Sequence, residues 1–487
     1  MRNAYADNWS WLCGAGGREM TTSARSASAG RQLASFAASV KFSDLPADDQ
    51  LRTKLRLLNV AGSVLAAHRL AGAQLVRSYS ETLAGGGQSS FWLSGQRGRP
   101  EDAAFVNGMW AHLALLDDTV THTGTMLIPA ALAVAEARGC PGEEILAALA
   151  VGYELTARIE SGLMLASAVT LQGFRHSWPG VFGAAAAVAK LMGLTVDGIE
   201  DTLALVSTLA VPGTMAWYCN WADAEEAARL GSTGVTERYV QLGANAKNAV
   251  LAASLAAQGF HGSGVALEGE CGIYSVYANG MGLPPDLSYR LGEEWHLERI
   301  GVKPYPGSWV IPVYCAERIV RRRAITSVSD VDHIRVDMVT WKRNQAVVFP
   351  GPFTNQEQAL ASTPFNVAAT LIFGKYDVDV LARATGDARV DELAAKVRIG
   401  AMPGAVTPDA KAGVVEVIFT DGTSIREDAS SMPGSVLRPD TWADMNARFD
   451  GMCGDESAES KRAISGYIEH FENGDARGLA DLLVRPQ

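Results

Sequence analysis

The chain has 487 residues, of which 48% are hydrophobic and 20% charged, and its formal net charge is −11. It is long enough for two domains, or for one large domain carrying an insertion, and its composition is that of a folded chain with a sizeable core. The acidic balance excludes a general nucleic-acid binder, which needs a broad basic surface, but a small anionic substrate needs only a few local Arg and Lys.

Six cysteines are scattered without a CxxC pair, so neither a zinc framework nor a disulfide scaffold is expected and a cytoplasmic compartment is the default. No run of eighteen apolar residues is present, so no membrane span is expected. Residues 1–24 are polar and Gly/Ser-rich; they read as a disordered extension, with Met20 as an alternative start.

From about residue 28 to 292 the pattern is helical. RQLASFAASV, DDQLRTKLRLLNVAGSVLAAHRL, EEILAALAVGYELTARIESGLMLA, GVFGAAAAVAKLMGL and NAKNAVLAASLAAQGF carry apolar residues at helical spacing. Ser43 and Thr195 look like helix starts, and the many Ala and Gly positions permit close helix packing. After about 297 the texture changes. VDHIRVDMVT and GVVEVIFTDGTSIRE alternate at strand period, with Asp421-Gly422 at a hairpin position. Between them TPFNVAATLIFGK, DVDVLAR and DELAAKVRI read as helical. TWADMNARFDGMC and SAESKRAISGYIEHF then return to helix. The expected fold is mostly α with an α+β part: a large helical domain, 25–296 and 436–487, with a smaller α+β lid, 297–435, inserted before the C-terminal helices.

The stretch HLALLDDTVTHTGTMLIPAALAVAE, residues 112–136, brings Asp117, Asp118, Thr119 and His122 between two apolar segments, the second read as a helix starting at Pro129. On a continuing helix Asp118 and His122 would share a face and Asp117 would point elsewhere. A carboxylate and an imidazole at that spacing can hold a divalent cation, but no third ligand is close in sequence and no metal is expected. The plainer alternative is a helix end built from ordinary loop residues.

NGMWAHLALLDDTVTHTGTMLIPAALAVAE resembles the signature of the MmgE/PrpD family. GFRHSWPGVFGAAAAVAKLMGL, TERYVQLGANAKNAVLAASLAAQGFHG and GVKPYPGSWV resemble further family segments in family order. The resemblance spans about residues 30–475. It implies a helical domain with an α+β lid, a cleft active site, no cofactor and a homodimer. The family includes 2-methylcitrate dehydratases, cis-aconitate decarboxylases and iminodisuccinate epimerases. Residue by residue, Thr119, His122, His176 and Lys303 fall on family site positions. Three positions depart: a family aspartate is Leu115, a lysine is Arg238 and a histidine is Ser308. A tyrosine that the family often places before a Pro-Phe-Pro turn is also not found near 345–349, which reads QAVVF.

Such reactions form a carbanion or enolate beside a carboxylate, so a site needs an acid/base near neutral pH and cations for the carboxylates. His122 has the intrinsic range for proton transfer, with Asp118 to orient it and Thr119 and His176 as further catalytic candidates. Arg238 can clamp a carboxylate or pair with Glu237 at the surface. Lys303 faces a carboxylate or snorkels to solvent. Arg238, Lys303, Ser308 and Leu115 are the expected substrate contacts. With Leu115 and Ser308 apolar or neutral, and with Trp110, Trp178, Trp217, Trp221 and Trp309 nearby or in the core, the expected substrate is a small carboxylic acid bulkier or less charged than methylcitrate. The expected activity is a dehydratase-type lyase. A decarboxylase, isomerase or epimerase is the alternative within the family, and a catalytically silent binding protein the alternative outside it.

Overall fold

The computed structural model describes residues 28–119, 122–170, 178–210, 236–278, 283–284, 287–307, 309–338, 348–401 and 413–485. The expected extension at 1–24, the start at Met20, His176, Ser308, Trp217 and Trp221 lie outside the described residues.

The first part is helical: α1 (Ala29–Ser39), α2 (Ala47–Ala67), α3 (Ala73–Leu83), α4 (Pro100–Leu113), α5 (Gly124–Arg138), α6 (Gly142–Thr170), α7 (Gly180–Leu191), α8 (Val196–Leu209), α9 (Glu237–Ala257) and the short α10 (Ile273–Tyr277). One two-residue strand pair, β1 (Ser89–Ser90) with β2 (Arg97–Gly98), lies among them. Next come α11 (Ile311–Arg322), β3 (Val331–Met338), α12 (Gln356–Ala361), α13 (Thr363–Phe373), α14 (Val378–Ala384), α15 (Ala388–Ala395), β4 (Val397–Ala401), β5 (Gly413–Phe419) and β6 (Ser424–Ala429). The described chain closes with α16 (Trp442–Met452), α17 (Ala458–Glu469) and α18 (Ala476–Leu483). The fold is mostly α with an α+β portion, as its sequence predicts.

The sheet runs β4-β3-β5-β6, with β3 parallel to β4 and antiparallel to β5. The β5–β6 hairpin turns at Asp421-Gly422, where Gly422 takes a left-handed φ of 83°. β4 was hidden in the sequence: VRI continues the helical reading of DELAAK, and its strand identity comes from pairing with β3. α11 packs on α13 and on β5 and β6, while α16 and α17 pack back on α2, and α18 on α5. The C-terminal helices thus rejoin the first helical part.

Two helix starts differ from expectation. α2 begins at Ala47 behind Pro46, because proline suits a helix entry and lacks the N–H that an interior position must donate. Ser43 sits instead in a 3₁₀ turn, Phe42–Asp44. α5 begins at Gly124, not Pro129, which lies inside the helix. The Asp118 carboxylate accepts the Gly124 N–H and fixes that earlier start. Thr195 does cap α8, its hydroxyl accepting the Gly198 N–H.

One close helix crossing bears on the site. A Cβ on Gly108 would lie 2.9 Å from the Gly243 Cα, and one on Gly243 would lie 2.6 Å from the Phe105 carbonyl oxygen. Only glycines let α4 and α9 come this close. The approach brings Arg238, near the start of α9, to the C-terminal end of α4.

Candidate active site

α4 ends at a corner. Leu115 turns left-handed, φ 50°, and is buried; this conformation usually falls to Gly or Asn at a helix C-terminus and is costly for a branched apolar side chain. The helix therefore does not continue through 117–122, and four-residue spacing does not set which side chains meet. Asp117, not Asp118, faces His122.

The Asp117 carboxylate gathers three donors. Its Oδ1 accepts from His122 Nδ1 at 2.8 Å and from Lys303 Nζ at 2.7 Å, and its Oδ2 accepts from His112 Nδ1 at 2.7 Å. The two imidazoles meet edge to face with centroids 4.8 Å apart. An ionised carboxylate only accepts, so the network assigns a proton to each Nδ1 and leaves Nε2 as the basic nitrogen of each neutral ring. His112 is fully buried, whereas the His122 side chain is 15% exposed, which makes His122 the ring that a ligand can reach. His122 itself sits at φ 52°, and its carbonyl accepts from the Thr125 N–H and hydroxyl in the first turn of α5. This strained backbone is fixed from both sides.

Lys303 arrives from a remote segment through a short antiparallel pairing. The Thr119 N–H donates to the Gly301 carbonyl at 2.8 Å, the Lys303 N–H donates to the Asp117 carbonyl at 3.0 Å, and Asp118 and Val302 face each other between them. Val302 N–H donates onward to the Gly434 carbonyl at 2.8 Å. A Cβ on Gly301 would come within 2.5 Å of that same oxygen, so this seam is closed to any larger residue.

Burial alone would raise Asp117, but His122, Lys303 and His112 outweigh it and hold the carboxyl well below its ordinary range. Burial pulls Lys303 down, opposed by its pairing with Asp117. Asp118 faces the other way, to the Gly124 N–H at 2.5 Å and the Tyr153 hydroxyl at 3.5 Å. Burial pushes it up to about 6, against the pull of Arg56 and the Gly124 N–H. Arg56 stacks over the Tyr153 ring and donates to the Leu297 and Ile300 carbonyls, just before the Lys303 segment.

Arg238 is buried, which removes the surface pairing with Glu237. Its guanidinium donates to the His112 and Leu113 carbonyls at the end of α4 and, through Nε and Nη2, to Glu357 Oε2 at 3.0 and 2.7 Å. Glu357, on α12, also accepts from the Tyr239 hydroxyl. The structure therefore brings together Asp117, His122 and Lys303, sets Thr119 beside them through its backbone, and puts Asp118 on the opposite face. Trp110 and Trp178 are core residues, each 1% exposed, and Trp309 is partly buried.

Sequence reasoning missed His112, Tyr153, Arg56 and Glu357 as members of this neighbourhood. His112 alone left a signal, as the histidine opening the aspartate-rich stretch. The others come from distant elements.

His112, Asp117 and His122 offer ligand atoms within 4.8 Å of one another, close enough to hold a metal ion. Their donor chemistry fits one poorly: both Nδ1 protons and the Lys303 ammonium point at the single carboxylate, so a cation would have to displace the lysine.

The MmgE/PrpD N-terminal domain matches residues 31–285 and the MmgE/PrpD C-terminal domain matches residues 311–469. The chain is 26% identical over 462 residues to the cis-aconitate decarboxylase of Homo sapiens, covering 89% of this chain and 90% of that one. It is 25% identical over 440 residues to the cis-aconitate decarboxylase of Mus musculus, covering 84% of each. A cis-aconitate decarboxylase-like protein of Aspergillus oryzae is 29% identical over 293 residues, covering 56% of this chain and 57% of that protein. With both halves of the family matched in order, over a chain whose paired histidines and lysine converge on one aspartate, the protein belongs to the MmgE/PrpD family.

Proposed function

We propose that the chain is a cofactor-independent lyase that moves a proton next to a substrate carboxylate, with His122 as the acid/base. The observation that carries this is the Asp117 cluster: a buried, firmly ionised carboxylate fixes the tautomer of a partly exposed imidazole and holds an ammonium beside it. Asp117 takes the orienting role expected of Asp118. In a dehydration, His122 Nε2 takes the proton from the carbon adjacent to the carboxylate, the carbon–oxygen bond breaks, and the hydroxyl leaves as water with a proton from a second acid. His176 is the sequence candidate for that acid. Thr119 holds the pairing that delivers Lys303, whose ammonium is the positive charge beside His122 and Asp117.

The substrate reading is a hydroxylated acid less charged than a tricarboxylate. Among the described residues, the site's cations already face internal anions: Lys303 faces Asp117 and Arg238 faces Glu357. Leu115 adds an apolar side chain where the family resemblance has an aspartate. Decarboxylation is the second reading, favoured by the names of the relatives matched over most of their length. In it carbon dioxide leaves first and His122, which must enter the reaction protonated at Nε2, gives that proton to the carbanion.

A panel of hydroxy acids and unsaturated acids incubated with EDTA-dialysed protein in D2O, followed by NMR, separates these readings. Deuterium entry next to the carboxylate with formation of an alkene supports the dehydratase. Loss of carbon dioxide supports the second reading. Exchange that appears only on adding a divalent ion would overturn the metal-free mechanism, and no turnover of any acid would leave a binding protein.

A further inference from the structure

We infer that Glu357 is a specificity-determining residue: it is a built-in carboxylate that occupies Arg238 and so limits the number of carboxylates the site accepts. This rests on the reading of the site as one for carboxylic acids. Arg238 stands at the end of α4, beside the Asp117 cluster. It grips the two carbonyls at the end of α4, one of them from His112, which itself bonds Asp117. Its charge is felt at Lys303.

The partner it has is of the kind a substrate would supply. Glu357 Oε2 accepts from both Nε and Nη2, along the guanidinium edge that recognises carboxylates, and Glu357 Oε1 accepts from the Tyr239 hydroxyl. The Tyr239 ring in turn lies under the Arg238 guanidinium, 4.7 Å from its centroid. Glu357 comes from the α+β portion, whereas Arg238 and Tyr239 come from the helical part. The anion is therefore presented across the two. Burial raises Glu357 and Arg238 opposes that rise. A dicarboxylate or tricarboxylate must displace this internal anion or lie beside it; a monocarboxylate seated at Lys303 and His122 need not.

The test is binding by calorimetry of 3-hydroxybutyrate, malate and citrate, carrying one, two and three carboxylates, to the wild-type chain and to Glu357→Gln. Glutamine keeps the length and one acceptor oxygen for Arg238, turns its NH2 toward the Tyr239 hydroxyl oxygen as a donor, and removes the charge. Glu357→Ala, with folding checked by circular dichroism, is the second variant. Wild type should favour 3-hydroxybutyrate, and Glu357→Gln should shift the ratio toward malate and citrate by about tenfold or more, the worth of one charge-assisted contact. Carboxylate binding with the same ratio in wild type and both variants would overturn the assignment and leave Glu357 as a strut between the two parts. Binding of none of the three acids by any of the proteins would sink the carboxylate reading itself, and the assignment with it.

Discussion

Asp117 and Asp118 are neighbours, both essentially buried, and they are driven in opposite directions. Asp117 faces two imidazoles and an ammonium and stays ionised. Asp118 faces a backbone N–H and a phenol, with the Arg56 charge as its main opposing pull, and rises to about 6. Burial is common to both, so burial does not decide ionisation here; the number and charge of the donors does. The turn at Leu115 sets which aspartate receives which environment.

The largest effect should come from breaking the Asp117 side. Asp117→Asn leaves Lys303 buried without a counter-charge, which costs about 3–5 kcal/mol of stability. It also leaves one acceptor oxygen where two imidazoles need one each, so turnover should vanish together with cooperative folding in urea melts. Near-wild-type stability would mean that Lys303 finds another anion and that the two aspartates do not differ in this way.

His122→Asn keeps much of the shape and the bond to Asp117 but cannot titrate. Its kcat should fall by roughly 10²–10⁴, the range for losing general acid–base catalysis, with little change in Tm. More than about a tenth of wild-type kcat would move the acid/base role to His176.

Asp118→Asn tests the other side through pH. Folded Asp118 titrates near about 6, against ~3.9 for an unfolded aspartate. Between those values the native state holds the extra proton, so this group's contribution to stability falls as pH rises through the window, by about 3 kcal/mol. Asp118→Asn should remove that fall, visible as a flatter stability profile between pH 4 and 7. Asp117 contributes in the opposite sense: its folded value is depressed, so its contribution is complete above the unfolded value and is lost as pH falls. An unchanged profile in Asp118→Asn would show that Asp118 is not raised.

How legible was this from residues alone? The helical part, the hairpin at Asp421-Gly422 and the return to helix after 435 were readable, because period and turn chemistry are local. β4 was not, because its identity is a pairing with β3. In the site, the composition of 112–122 drew attention to that stretch, and the family resemblance supplied Thr119, His122 and Lys303. Neither could say which aspartate turns inward, since that depends on one left-handed residue that helical spacing assumes away. Glu357 and Arg56 were beyond reach: Glu357 meets Arg238 across 119 residues of chain and Arg56 meets the Tyr153 ring from a separate helix, and nothing near either of them in sequence announces it.

Lys303 lies between the two matched family regions, which end at 285 and begin at 311. Its place depends on a seam joining residues 117–119, 301–303 and 434 by backbone hydrogen bonds. The stretch that looks like a connector is thus a shared component of the site. In a chimera of two family members, the crossover chosen within 286–310 decides which parent donates the ammonium. It also decides whether the glycines at 301 and 434 come from one parent or two. Halves exchanged at a boundary that seems neutral would inherit a mismatched seam, so a crossover in this chain's linker is a change to its site.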